Sequence, residues 1–522
     1  MIPESMLIGP IFRTVVTAAA GYIAIANVAS IVSSLIGFMM LRGVRPSITQ
    51  PQARTLSISP MLPGISFLID GRGPAREIFE QIDELMRMPY ANFEVVADCE
   101  GVCVETVAAL VERYQLLAST RANGREPHAG TQSTIFESAG ENRLVIATGE
   151  SKRAHMNSAL AVSRMPLVGI VETDSMPTVE GLIALIRPFL DDRDAPPPAS
   201  AGLTMITAAT AANGAQRMLH SGASIAEIID RVGISTSTIA TGGFGAMLPA
   251  PGDFVLFDRS ALTRAGGFDN PVGVDLIASH VMTTYVRLIR EAHRDGTART
   301  VFTPQVVATR TVPRSVGEQT WRRAGRMFAE LCVVRGNPGA VFSPANGALG
   351  IIALPVILFG GILTPGIELF GYILTAIGLG LGVLSTPVAA LYLLAAGGFG
   401  LLRALILVAL ALCRPVFADE PISAASAVVW SILDVSGLRQ AAACRFMSGL
   451  IVGSWRSADR DSPDAGEESA ATQPISVAAA ARNRIHESSL REPRHGADRA
   501  AHSVSPDVNA LQNRSGFRTQ SE

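Results

Sequence analysis

Charged residues are scarce in this chain of 522 residues. Asp, Glu, Lys and Arg make up 17% of the sequence, apolar residues make up 48%, and the mean hydropathy is +0.32. Soluble domains usually contain about a quarter of charged residues. The shortage argues against a wholly soluble chain and indicates a membrane protein that also carries a soluble domain. The formal net charge of −2 by itself says nothing about nucleic acid. We expect no nucleic-acid partner.

Cysteine is also scarce, which argues against a disulfide framework. The two cysteines that lie four residues apart have no second pair and no nearby histidine cluster, so the spacing does not predict a zinc site. A reduced, cytoplasmic compartment fits this usage. The five cysteines are Cys99, Cys103, Cys332, Cys413 and Cys444.

Long hydrophobic runs are present at both ends of the soluble part. The stretch from Val15 to Leu41 has no charge over 27 residues, and about 20 apolar residues span a bilayer. We predict an N-terminal transmembrane anchor at residues 1–45. A cleaved signal peptide is the alternative, but it would have a basic start and a shorter apolar core, and only Arg13 precedes this run. Arg42 and Arg45 follow it, so we expect the next domain to face the cytoplasm.

A second apolar block predicts C-terminal transmembrane helices at residues 345–415. We expect three spans here, the first two separated at Pro365, and hence a multi-pass protein of the cell membrane. The spans contain almost no ionisable residues apart from Glu368 and Arg403.

The chain after this block is predicted in two parts. Residues 420–456 form an interfacial, amphipathic segment, and residues 457–522 form a polar, disordered tail. One span before the domain and three after it would place the tail outside. Arg414, Arg439 and Arg445 favour the cytoplasm instead, so the side of the tail stays open.

Between about Gly64 and Asp192, short apolar runs alternate with helical patterns. Such alternation predicts an α/β fold with a mostly parallel sheet. The predicted strands are ISFLI, FEVVA, RLVIAT and LVGIVE, and the predicted helices lie in AREIFEQIDELMRM, VETVAALVERYQLL, residues 154–164 and VEGLIALIRPFL.

Two carboxylates follow the strand LVGIV, at Glu172 and Asp174. Ligands of α/β sheets bind at the carboxyl ends of strands, and hard oxygen ligands suit Mg²⁺ or Mn²⁺. The alternative is a solvated turn, because Asp, Ser and Pro favour turns and Thr178 can cap the next helix. The local sequence leaves both interpretations open.

A series of stretches, taken in order, is similar to one known family. They are ISFLIDGRG, MPYANFEVVADCEG, ESKRAHMNSALAVS, ETDS, DFVLFDRSALTRAGGFD, PVGVDL, QTWRR and the block GALGIIALPVILFGGILTPGIELFGYIL. Together they resemble the membrane-bound, processive glycosyltransferases of family 2, which include cellulose, hyaluronan and poly-N-acetylglucosamine synthases. The resemblance covers about residues 12–457. It implies a GT-A fold, with a Rossmann-like and mostly parallel sheet, at residues 60–335, flanked by transmembrane helices.

The resemblance also implies an activity and its residues. We expect an inverting transfer of a sugar from a UDP-sugar to a polysaccharide or a lipid-linked acceptor. Glu172 and Asp174 would bind Mg²⁺ or Mn²⁺, and Asp275 would be the general base. The alternative for Asp275 is an exposed turn residue, and for Lys152 a solvated loop lysine. The residues implied for donor binding are Glu100, Lys152, Asn157, Asp174, Gln319 and Arg322.

Several positions depart from the family pattern. Glu172 replaces the first Asp of the metal motif, Cys99 and Glu100 replace an Asp pair, Val274 replaces an acid and Arg323 replaces a Trp. A catalytically inactive subunit or scaffold of a polysaccharide-synthesis machine, with export proteins as partners, is therefore the alternative function. A transporter is a third possibility, disfavoured by the shortage of ionisable residues in the spans.

Overall fold

The structure is a computed structural model, and statements about it concern the residues it describes. These are 4–43, 50–99, 102, 104–119, 134–139, 143–148, 156–192, 195–207, 222–245, 247–269, 276–295, 300–413 and 423–452. The predicted tail at 457–522 lies outside them.

Ten strands in the described part form one mixed sheet. They are β1 (Ile65–Asp70), β2 (Phe93–Asp98), β3 (Leu117–Ser119), β4 (Thr134–Glu137), β5 (Arg143–Thr148), β6 (Leu167–Val171), β7 (Ser175–Pro177), β8 (Ala199–Thr207), β9 (Val255–Asp258) and β10 (Val301–Thr311).

The described α-helices lie before, between and after these strands in the sequence, and the last of them form the apolar C-terminal block. They are α1 (Glu4–Arg42), α2 (Gln50–Ser57), α3 (Ala75–Met86), α4 (Val104–Arg113), α5 (Asn157–Val162), α6 (Val179–Asp191), α7 (Gly222–Gly242), α8 (Arg259–Arg264), α9 (Ile277–Asp295), α10 (Val316–Gly336), α11 (Leu354–Val356), α12 (Thr364–Gly380), α13 (Thr386–Leu393), α14 (Phe399–Cys413), α15 (Ala424–Leu433) and α16 (Arg439–Val452). Short π-helical segments interrupt the last part at Leu349–Ala353, Ile357–Leu363, Leu394–Gly398 and Asp434–Leu438.

The strand order is β3-β4-β5-β2-β1-β6-β9-β8-β10-β7. Strands β5, β2, β1 and β6 are parallel neighbours, β8 and β10 are parallel, and β9 runs antiparallel to both β6 and β8. The register aligns Asp70 with Asp98 and Ile69 with Val171, so β1, β2 and β6 end at one edge. The predicted α/β class is confirmed, and its core is parallel as expected.

Most of the predicted elements form where their apolar patterns place them. The helix predicted in VETVAALVERYQLL is shorter than expected, because α4 ends at Arg113 and Leu117 already belongs to β3. The strands β1, β2 and β6 are buried almost throughout, as continuous apolar runs require. Helix α3 buries Ile78, Ile82 and Leu85 on one face. Thr178 caps α6 by accepting a hydrogen bond from the N–H of Gly181 at 3.1 Å, as the sequence predicts.

Three helices are long and apolar enough to cross a membrane: Gly9–Arg42, Leu349–Gly380 and Thr386–Cys413. The predicted break at Pro365 is wrong, because the second helix continues through it. The π-helical turn Ile357–Leu363 precedes α12, and Pro365 occupies a first-turn position of α12. The local change of hydrogen-bond pattern accommodates a residue without an N–H, so the helix need not end. The described C-terminal block therefore holds two such helices.

Helix α1 packs directly on α7, a helix that leads from β8 to β9. A Cβ atom at Gly37 would overlap the backbone carbonyl of Thr236 in α7, whereas a Cβ at Gly21 in the same helix would meet nothing within 4 Å. Helix α1 can therefore approach α7 this closely only because residue 37 is a glycine, which has no side chain.

We predict that Gly37→Ala destabilises the protein, by about 1–3 kcal/mol, because a backbone atom cannot move aside as a flexible side chain can. The matched variant Gly21→Ala should be neutral or slightly stabilising, since Ala favours helix over Gly by about 1 kcal/mol. Thermal unfolding of both variants in detergent measures the difference. Equal transition temperatures for the two variants would contradict this packing.

Candidate functional site

The carboxylates Glu172 and Asp174 lie in the tight connection between β6 and β7. The side chain of Gln81 in α3 donates hydrogen bonds to the carbonyls of Val171 (3.1 Å) and Glu172 (3.0 Å). The N–H of Ser175 also donates to the carbonyl of Glu172, at 3.0 Å. These bonds end the strand at Val171 and place both carboxylates at the carboxyl edge of the sheet.

A buried arginine from β10 bridges the two carboxylates. The Nε of Arg310 lies 2.8 Å from Asp174 Oδ2, and its Nη2 lies 3.1 Å from Glu172 Oε2. The side chain of Arg310 is 10% exposed and the carboxylates are about 20% exposed. The predicted metal ligands are thus paired with a guanidinium group in a largely water-excluded place.

A second arginine reaches the same carboxylate from α10. The Nη2 of Arg322 lies 3.1 Å from Asp174 Oδ2 and 2.6 Å from Glu318 Oε1, and its Nη1 donates to the carbonyl of Thr311 at 2.9 Å. Asp174 and Arg322 come from two separate motifs of the resemblance. The structure brings them into direct contact.

The arginines set the protonation of the pair. Burial raises the pKa of Glu172; Arg310 opposes this rise, and the negative charge of Asp174 adds to it. Burial alone would also raise the pKa of Asp174, but Arg310 and Arg322 together lower it. The two guanidinium groups therefore favour the ionised form of Asp174.

As arranged, the two carboxylates do not fit a divalent-ion site. A guanidinium group uses one oxygen of each, and a cation beside Arg310 and Arg322 would meet two fixed positive charges. Within the described residues, no group of three or more His, Cys, Asp and Glu side chains is placed to hold a metal. The cavity beside Glu172 measures about 10 Å³, room for roughly one water molecule. Metal binding by Glu172 and Asp174 stays a prediction of the resemblance.

Helix α10 carries further arginines into buried ion pairs. Arg323 contacts both oxygens of Asp230, at 2.7 and 2.6 Å, and Asp434 at 2.8 Å. Arg326 contacts Glu227 at 2.8 Å and also pairs with Asp230. These partners come from α7 and from the π-helical segment before α16. Arg323, which stands where the family has a Trp, thus forms structural ion pairs.

The remaining described donor candidates also have internal partners. Gln319 donates to Asp230 at 3.3 Å. Asn157 donates to the carbonyl of Phe268 at 2.9 Å and accepts from its N–H at 2.7 Å, so it holds the loop that follows α8. The predicted residues Glu100, Lys152 and Asp275 lie outside the described residues.

Several charged residues at this site were not predicted. Asp98 ends β2 and accepts from the N–H of Met156 at 2.6 Å and from Ser158 at 2.9 Å. Asp70 ends β1 and pairs with Arg72 at 2.6 Å. An available signal for Arg310 was its place in the largely uncharged stretch VVATRTV, where an arginine needs a partner.

We predict that Arg310→Met lowers the free energy of unfolding by about 3–5 kcal/mol, because it leaves two buried carboxylates without their shared cation. The control is Arg76→Met, which breaks an exposed pair with Glu80 and should cost less than about 1 kcal/mol. Denaturant unfolding in detergent compares the two. Equal losses would mean that Arg310 is not held as described.

The pair of Glu227 with Arg326 predicts a pH dependence. Burial alone would raise the pKa of Glu227, but Arg326 and the neighbouring arginines lower it to about 2. Because this lies below the unfolded value, the stabilisation is fully present above about pH 4.5 and is lost as the pH falls through about 2. Glu227→Gln should flatten this acid limb of a stability–pH profile, and the exposed control Glu80→Gln should leave it unchanged. If the stability–pH profile of Glu227→Gln ran parallel to that of the parent protein, the lowered pKa of Glu227 would be refuted.

Comparisons with known proteins give only distant structural likenesses. No protein-family model matches the chain, and no curated protein sequence matches it. Among solved structures, the mannosyltransferase PcManGT from Pyrobaculum calidifontis, in complex with GDP-Man and Mn²⁺, is similar with a TM-score of 0.47 at 17% identity, over 83% of this chain and 99% of that one. Glucosyl-3-phosphoglycerate synthase from Mycobacterium tuberculosis, with Mn²⁺ and UDP, has a TM-score of 0.30 at 13% identity, over 56% of this chain and 86% of that one.

Proposed function

We propose that the chain is a membrane-bound glycosyltransferase that transfers a sugar from a UDP-sugar to a polysaccharide or a lipid-linked acceptor. The observation that carries this function is the 3.1 Å contact between Asp174, after β6, and Arg322, on α10. The two motifs to which the resemblance assigns donor binding meet at the carboxyl edge of the sheet, where α/β folds bind ligands.

The chemistry of the donor gives the arginines a role. A diphosphate leaving group carries several negative charges, and Arg forks match phosphate oxygens better than any other side chain. Arg322 and Arg310 stand as preorganised cations at this edge, so they would stabilise charge that develops on the leaving diphosphate. Asp174 holds both in place. No step of this scheme passes through a divalent ion.

The remaining roles follow the sequence prediction. The acceptor hydroxyl oxygen forms a bond to the anomeric carbon, the bond from that carbon to the diphosphate breaks, and Asp275 takes the hydroxyl proton. This single displacement inverts the anomeric centre. Glu100 would contact the nucleoside, and Lys152 and Asn157 would lie near the nucleotide. The sheet domain would face the cytoplasm, where nucleotide sugars are found.

A silent subunit of a polysaccharide-synthesis machine is the second candidate. Its support is that each described candidate residue already has an internal partner: Asn157 with Phe268, Gln319 with Asp230, and Glu172 with Arg310. In that case the ion pairs have only a structural purpose, and export proteins would be the partners.

We predict that the full chain in detergent binds UDP in EDTA as tightly as in Mn²⁺, because Arg310 and Arg322 provide the countercharge. Arg322→Gln should weaken binding by about tenfold, the worth of one charged hydrogen bond. The control is Arg314→Gln, whose side chain is 70% exposed and paired with Glu77. Calorimetric titration measures all three proteins.

The outcomes separate the candidates. Binding that requires Mn²⁺ would restore the metal site and remove the role given to Arg310. Absence of binding in both buffers would refute the transferase and leave the silent subunit. Equal weakening in Arg314→Gln would show a general charge effect in place of a donor site.

A further inference from the structure

A second, larger cavity lies beside α10. It measures about 150 Å³. Its walls come from α7, α10, the turn Ile357–Leu363, α12, α14 and α16. Two of the three helices long enough to cross a membrane therefore contribute to it. The lining is nevertheless rich in charge, with Asp230, Arg323, Arg326, Glu330, Glu368, Arg403 and Arg439.

Arg403 is the unusual member of this lining. It stands in the middle of the apolar helix Thr386–Cys413. Its contact with a described residue is a hydrogen bond to Ser30 Oγ at 3.4 Å, and no described carboxylate lies within 4.0 Å of it. Its Nε is buried and has no hydrogen-bond partner among the described residues. An arginine on a membrane-type helix that has no close carboxylate partner among the described residues is expensive and marks a functional site.

A neighbouring arginine also has donors to spare. The Nη2 of Arg439 lies 3.8 Å from Glu368 Oε2, too far for a hydrogen bond, and its Nη1 is buried with no hydrogen-bond partner in the described part of the chain. The other oxygen of Glu368 accepts from Gln440 at 3.1 Å. By contrast, Arg323 and Arg326 have close carboxylate partners. The unsatisfied positive charge is thus concentrated at Arg403 and Arg439.

We propose that this cavity binds the phosphate head group of a membrane lipid, held by Arg403 and Arg439. A phosphate offers several acceptor oxygens on one centre, which suits two guanidinium groups with unused donors. The ligand is a lipid because Arg403 belongs to a membrane-type helix whose outer face exposes large apolar side chains, such as Leu402 and Leu412. The site is independent of the proposed glycosyl transfer, since it rests on the cavity alone.

The test uses the full chain purified in the neutral detergent dodecyl maltoside, which has no phosphate group. The probes are dodecyl phosphate and inorganic phosphate, and the readouts are native mass spectrometry and the shift in thermal unfolding. We expect dodecyl phosphate to bind saturably to the parent protein, and Arg403→Gln and Arg439→Gln each to weaken binding at least about tenfold. Arg13→Gln is the matched control, because Arg13 is an exposed arginine on another membrane-type helix.

Each remaining outcome is decisive. Arg403→Gln should raise the thermal stability of the protein without probe, because it removes the unpaired charge; if it does not fold, Arg439→Gln carries the same binding test. Equal binding to the parent and both cavity variants, or equal weakening by Arg13→Gln, would overturn the site. Tight binding of inorganic phosphate with the same dependence on Arg403 would show a free-anion site and overturn the lipid assignment. Failure of UDP binding, measured separately, would leave this result untouched.

Discussion

The fold depends on the pairing of buried arginines along α10 with carboxylates from three other parts of the chain. Arg322 meets Asp174 at the sheet edge, and Arg323 meets Asp230 on α7 and Asp434 before α16. Removing one partner of a buried pair leaves an uncompensated charge, which costs far more than the pair contributes. These ion pairs therefore fix the rotation of α10 about its axis and its position along that axis. In this way α10 connects the sheet with the apolar helices.

These ion pairs also limit what the candidate site can bind. The same guanidinium groups that would neutralise a diphosphate already neutralise Glu172 and Asp174. A diphosphate must therefore compete with carboxylates that are held in place, and the raised pKa of Glu172 makes it the weaker competitor. Protonation of Glu172 would free part of Arg310 for a ligand while Asp174 kept its position.

The local features of the fold were predictable from the sequence, whereas the pairings across it were not. β1, β2, β6 and α3 follow from apolar periodicity, which depends on residues a few positions apart. Arg310 and Asp174 meet because β10 pairs with β7, and no local pattern encodes that neighbour relation. The break expected at Pro365 was wrong for a similar reason: a π-helical turn, absent from simple helix rules, removes the conflict. The position of the turn at Glu172 to Asp174 was predictable from the sequence, but its pairing with Arg310 was not.

Asp230 connects the cavity near Arg403 with Gln319. It accepts a hydrogen bond from Gln319 and pairs with Arg323 and Arg326, which also line that cavity. An anion in that cavity would attract these arginines and weaken their ion pairs with Asp230, because the anion and the carboxylate compete for the same guanidinium groups. The charge felt by Gln319, and one turn further by Arg322, would then change without any movement of the sheet. If Arg322 binds a donor as proposed, an anion in the cavity near Arg403 would therefore alter that binding, and by reciprocity the donor would alter the binding of the anion.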